Sequence, residues 1–193
     1  MNRIVLNETS YFGAGCRVAI AEEIKKRGFK KALLVTDKDL IKFGVAEKIE
    51  EVLRGADIPY EIYSEVKPNP TVTNVQMGVE AFKKSGADCL VAIGGGSAID
   101  TAKGIGIIIT NPEFADVVSL EGVAPTKHKS VPIIALPTTA GTAAETTINY
   151  VIIDEEKQKN EEIITNIQTT NNSLSDLKSK NEKIISNFEA LLQ

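Results

Sequence analysis

The sequence predicts an α/β fold, a mainly parallel sheet flanked by helices, followed by one C-terminal coiled-coil-like helix. Three observations predict it. Short β-branched runs alternate with amphipathic stretches, as in repeated βα units. Gly and Pro punctuate the chain as far as Gly141 and do not recur through Gln193. From about Lys159 the composition shifts to Asn, Ser, Thr, Lys, Glu and Ile, with apolar residues on a seven-residue period.

Taken in order, Arg3–Leu6 and the segment to Phe12 read as a short antiparallel start, and Val18–Arg27 as a helix that Gly28 ends. Lys31–Thr36 is an apolar run suited to a buried strand. Leu40–Leu53 has helical spacing with Gly55 after it, Tyr60–Val66 reads as a strand, and Val72–Ser85 as a helix closed by Gly86. Cys89–Ile93 is the next strand, running into Gly94-Gly95-Gly96-Ser97, after which Ala98–Ile109 is helical. Val131–Leu136 makes another strand, Pro137–Glu145 a loop, and Ile148–Ile153 a last strand. Strand, glycine turn and helix in this order give the sheet a Rossmann-like character.

In the tail, position a of the heptad is held by Asn160, Ile167, Leu174, Asn181 and Phe188, and position d by Ile163, Thr170, Leu177, Ile184 and Leu191. Asn at a favours one register and oligomer state at a cost in stability. The helix reads either as a means of self-association, giving a homo-oligomer, or as an amphipathic element lying on the α/β domain.

Composition narrows the function. The 193 residues carry 42% hydrophobic and 25% charged side chains, the profile of a folded globular chain. A net charge of −4, with no Lys/Arg cluster beside aromatic residues, argues against nucleic acid as a partner. No apolar run approaches the ~20 residues needed to span a bilayer, and no secretory pattern opens the chain, so no membrane partner and a cytoplasmic setting are expected. Cys16 and Cys89 have no spacing that suggests a disulfide or a zinc site.

Gly94-Gly95-Gly96-Ser97 stands where α/β folds bind ligands, between a strand's carboxyl end and a helix. Glycines let a phosphate approach the backbone, and the helix N-terminus favours its charge. Ser97 fits an N-cap with Asp100 three residues on, so a capped turn without a ligand is the competing reading. Asp37, ending Val35-Thr36-Asp37, suits a ribose and would repel a 2′-phosphate, but an N-cap before Leu40 explains it slightly better. Pro137-Thr138-Thr139-Ala140-Gly141-Thr142 offers three hydroxyls to a cofactor, or is a Thr-rich surface turn. Pro68-Asn69-Pro70-Thr71 is a rigid turn with Thr71 as cap. His128, the only histidine, lies in a polar stretch between Lys127 and Lys129 and reads as solvated.

These segments resemble the group III iron-containing alcohol dehydrogenases. The resemblance is carried by Leu6-Asn7-Glu8-Thr9, Leu34-Val35-Thr36-Asp37-Lys38, Lys67-Pro68-Asn69-Pro70-Thr71, Ala92–Ser97 with Asp100-Thr101, Asn111–Leu120 and, most specifically, Val131–Glu156. It covers residues 2 to 158 and implies NAD as cofactor. Asp37 would contact the adenosine ribose, Asn69 the cofactor, and Gly95, Gly96 and Ser97 the pyrophosphate. Thr138, Thr139, Thr142, Thr147 and Val151 would line the rest, and Asp100 would support the nicotinamide end. The resemblance also implies a family activity, hydride transfer between NADH and a small aldehyde or diol.

Two departures accompany it. A cofactor-contacting lysine of the family falls in register with Asn160, Lys159 standing one residue early. The family's helical second half, with iron or zinc held by one aspartate and three histidines, has no counterpart here. The expected division is a dinucleotide-binding domain over 1–158 and a heptad tail unrelated to the family over 159–193. The chain would then hold NAD(H) without being catalytically competent alone. The alternative is a non-catalytic nucleotide-binding or interaction module that oligomerises through its tail.

Overall fold

The computed structural model describes residues 8–191, with side chains described as far as residue 183. The strand expected at Arg3–Leu6 lies outside the described residues, as do the side chains of the heptad positions Ile184, Phe188 and Leu191. The chain divides into two compact units, Met1–Ile153 and Asp154–Gln193.

In the first unit four strands, β1 (Ala32–Val35), β2 (Tyr60–Tyr63), β3 (Cys89–Gly94) and β4 (Ile133–Pro137), form one parallel sheet in the order β2-β1-β3-β4. The register sets Val35 beside Ala92 and Gly94 beside Pro137. Every residue of β1 and β3 is buried, which is why both read as continuous apolar runs without polar alternation.

Alternate residues of the central strands feed two cores. On one face Leu33, Val35, Leu90 and Ala92 meet Val75, Val79 and Phe82 of α4 (Val72–Ser85) and Ile105 and Ile108 of α5 (Gly96–Thr110). On the other face Leu34, Val91 and Ile93 meet Ile20 and Ile24 of α1 (Ala19–Lys26) and Ile49 and Leu53 of α3 (Glu47–Gly55). Each fully buried Leu or Ile of these layers contributes roughly 1.5–3 kcal/mol.

Helix ends follow local chemistry. Thr71 caps α4 in a capping box with Asn74, and Gly86 closes it with φ 66°. Beyond α5 the fully buried Asn111 accepts the N–H groups of Lys127 and His128 at 2.9 Å and donates to the carbonyls of Ile107 and His128. That amide fixes the exposed loop carrying His128.

Three expectations are corrected. The helix expected over Leu40–Leu53 is two helices, α2 (Lys38–Lys42) and α3, because the chain turns at Gly44 with φ 70°. The segment from Glu8 to Phe12 forms no strand; Tyr11 and Glu8 instead reach Glu23 and Arg27 of the α1 region at 2.8 Å. Ile148–Ile153 is not a strand either. Only Ile153 makes a bridge, to Thr71. Its β-branched residues look like a strand, but a strand needs a neighbouring edge, and here side chains hold the segment.

The second unit is α6 (Glu155–Leu191), whose first turn is capped by Asp154 accepting from Glu156 and Lys157 N–H. At 1.5 Å per residue it is about 55 Å long. Among the described residues no helix is long and apolar enough to cross a membrane.

Candidate functional site

From β1 the chain passes to β2 on one side of the sheet, whereas β3 is followed by β4 on the other. The carboxyl ends of β1 and β3 therefore flank the point where the strand order reverses, and a crevice opens there in folds of this type. Three loops border it: the β1 exit at Thr36 and Asp37, the β3 exit at Gly94–Ser97, and the segment after β4 from Thr138 to Thr142.

Gly94 lets β3 turn into α5. Its φ is 153°, and a Cβ there would stand 2.6 Å from the Ala98 Cβ. Gly95 is the N-cap of α5 and supplies no side-chain cap, so the helix begins two residues before the expected Ala98. The capping box expected from Ser97 and Asp100 is thereby corrected: Ser97 lies inside the first turn, where its carbonyl accepts from Thr101 at 2.7 Å. A first turn without a side-chain cap keeps its amide donors, and the positive end of the helix dipole, available to an anion.

The β4 exit packs against this turn. Thr138 N–H donates to the Gly94 carbonyl at 2.9 Å, and a Cβ on Gly95 would lie 2.9 Å from the Thr139 hydroxyl. Thr142 approaches Gly96, 3.8 Å from where its Cβ would be. Gly95, Gly96, Ser97, Thr138, Thr139 and Thr142 thus meet in one place, the threonines exposed on its rim.

Asp37 is half-buried at the end of β1, and its Oδ1 accepts the Leu40 N–H at 2.8 Å as N-cap of α2. The cap reading is therefore realised, though a carboxylate with two oxygens has acceptor capacity beyond one bond. Leu40 in turn lies 3.5 Å from where a Cβ on Gly94 would be, which sets Asp37 next to the glycine turn. The buried hydroxyl of Thr36, one residue before, has no hydrogen-bond partner among the described residues.

A second group sits on α5. Asp100 and Lys103 form an ion pair at 3.2 Å with side chains only 14% and 13% exposed. Asp100 also accepts the Val151 N–H at 3.1 Å, while Lys103 donates to the Thr147 hydroxyl at 3.2 Å and the Asn149 carbonyl at 2.7 Å. The pair lashes the segment 147–151 to α5. Asp100 acts as a fastener for the stretch bearing Thr147 and Val151. Asn69, exposed with φ 54°, lies in the turn tied to the same stretch, since Ile153 N–H donates to the Pro70 carbonyl at 2.8 Å.

Sequence reasoning passed over Lys103, although its place three residues after Asp100 on one helix face was a visible signal. It also passed over the Thr36 hydroxyl, whose lack of a partner no linear pattern reveals. The buried Cys89 thiol, pushed up to about 12 by desolvation, is not a nucleophile.

The family model for iron-containing alcohol dehydrogenase matches residues 7–174, which continues past residue 158 into the heptad tail. Lactaldehyde reductase of Escherichia coli (strain K12) is 58% identical over 158 residues, covering 82% of this chain and 41% of that protein. The solved alcohol dehydrogenase from Oenococcus oeni superposes with a TM-score of 0.76 at 37% identity, over 81% of this chain and 41% of the other. Sulfoacetaldehyde reductase from Bifidobacterium kashiwanohense, solved in complex with NAD+, superposes with a TM-score of 0.73 at 29% identity, again over 81% and 41%. The chain spans about 41% of the length of these relatives.

Proposed function

Because the chain belongs to the iron-containing alcohol dehydrogenase family, we propose that its α/β unit binds NAD(H) across the crevice between the ends of β1 and β3. The observation that carries this reading is the α5 N-terminus, where Gly95 leaves the first turn without a side-chain cap and faces the Thr139 hydroxyl. Gly95, Gly96 and Ser97 take the pyrophosphate, whose charge suits the helix end. Asp37 takes the adenosine ribose. Thr138, Thr139 and Thr142 close the wall after β4. Asn69, Thr147 and Val151 border the remainder, positioned by Asp100 and Lys103. NAD(H) held there would supply hydride transfer, exchanged in the family's reaction with a small aldehyde or diol.

The iron part of that chemistry does not fit these residues. The chain has one histidine, exposed in the loop held by Asn111, and no group of three or more His, Cys, Asp or Glu among the described residues could hold a metal ion. Our reading is a cofactor-holding unit, residues 1–158, that is not competent in alcohol oxidation alone. A cytoplasmic setting agrees with two free cysteines. The apolar stripe exposed on α6 favours a second reading alongside it, a nucleotide-binding module that assembles through that helix.

Asp37→Ser tests the assignment, because Ser keeps the N-cap of α2 and removes only the charge. NADH affinity is expected to fall about 10-fold, as for loss of one charge-assisted hydrogen bond, and the preference for NADH over NADPH to disappear. Equilibrium titration with both nucleotides reads the effect. Unchanged affinity and unchanged preference would reduce Asp37 to a helix cap.

A further inference from the structure

The helix α6 carries an internal repeat. Lys159-Asn160-Glu161-Glu162-Ile163-Ile164-Thr165-Asn166-Ile167 returns as Lys180-Asn181-Glu182-Lys183-Ile184-Ile185-Ser186-Asn187-Phe188, with six of nine residues identical at a spacing of 21. That spacing is three heptads, so both copies present the same residue types to the same helix face. The stripe they continue is solvent-exposed: Ile163 and Ile167 by 54%, Leu174 by 63% and Leu177 by 57%.

We propose that α6 pairs with α6 of a second copy of this chain as a parallel, in-register, two-stranded coiled coil. The proposal rests on the reading of α6 as an assembly element and specifies its partner, strand number and direction. Three features carry it. In register, Asn160 faces Asn160 and Asn181 faces Asn181 of the second copy, so each amide finds an amide. A slip of one or two heptads sets these amides against Ile167 or Leu174 and leaves each polar group unpaired. A slip of three heptads restores one Asn layer but leaves under half of the helix overlapped. The full-length antiparallel alignment of a against d separates the amides, placing Asn160 on Leu191 and Asn181 on Thr170.

The flanking positions agree. In a parallel pair a g residue lies against the e residue five places on in the other helix. Lys159 then covers Ile164, an apolar stem on an apolar side chain with the ammonium group in water. Asn166 meets Asn171 and Ser173 meets Lys178, so no like charges oppose each other. The described apolar a and d side chains, Ile163, Ile167, Leu174 and Leu177, at roughly 60–120 Å2 each by their transfer energies, bury about 700 Å2 in the pair.

The test uses the full chain with Cys16→Ser, which removes the exposed thiol. Sedimentation equilibrium at micromolar concentration is expected to give a dimer, and Leu174→Asp with Leu177→Asp to raise its dissociation constant more than about 100-fold. With Thr170→Cys added, mild oxidation should give a covalent dimer. A monomer, or a dimer indifferent to the two aspartates, overturns the assembly reading and the geometry together. A trimer or tetramer overturns the geometry alone. So does cross-linking that needs Thr170→Cys chains mixed with Asn181→Cys chains. NADH titration of the same samples reports separately on the nucleotide site.

Discussion

Replacing Gly95 by Val is expected to weaken NADH binding at least about 100-fold while leaving the fold in place. The backbone at Gly95 has φ −80°, which any residue adopts, so Val introduces no backbone strain. Its Cβ would lie 2.9 Å from the Thr139 hydroxyl, a side-chain atom that rotates away at little cost. The added methyl groups, however, stand over the first turn of α5, between its N–H donors and any phosphate. Removing several charge-assisted hydrogen bonds at once accounts for the size of the loss. Titration calorimetry read beside circular dichroism separates the two quantities. Full affinity in the folded variant would remove the pyrophosphate from this helix end.

One residue earlier the failure changes kind. Gly94→Ala is expected to destabilise the protein by roughly 3–5 kcal/mol, from a backbone conformation reserved for glycine and from overpacking. With φ 153° an L side chain is strained, and the Ala98 Cβ at 2.6 Å belongs to a buried residue that has no room to retreat. For a domain of this size the melting temperature should fall by about 6–20 °C, which differential scanning calorimetry measures. Neighbouring glycines are thus expected to differ in duty, Gly94 making the turn and Gly95, on our reading of the site, keeping the anion's approach open. A Gly94→Ala protein as stable as the original would mean that the turn relaxes and that the glycine run is not structurally required.

Much of this architecture was legible in the sequence, and the failures have physical causes. The strands β1 and β3 are apolar on both faces because helices cover both sides of the sheet, and such runs announce themselves. The break between α2 and α3 was hidden because Gly44 sits inside continuous helical spacing, and spacing does not report the sign of φ. The stretch from Ile148 to Ile153 has strand composition, yet it is held by side chains of α5, by backbone bonds at Pro70 and Val72 and by Tyr150 and Ile152 packing on the core; composition does not say whether an edge is within reach.

At the site, the glycine turn could be placed from chemistry alone, since strand, glycines and helix follow one another. The helix begins earlier than expected because Gly95 rather than Ser97 takes the cap position. That shift leaves the first turn of α5 without the side-chain cap that a serine would have supplied. Asn69, Thr147 and Val151 had no local pattern to mark them and entered through family resemblance. The structure gathers them around one stretch of chain, fastened by Asp100 and by Lys103, which the sequence reading had missed.

Whether this chain holds a dinucleotide is asked most directly by isothermal titration of the full chain with NADH. Saturable binding at one site per chain, weakened by Asp37→Ser and lost in Gly95→Val, is the predicted result. A folded chain that binds no NADH would contradict it.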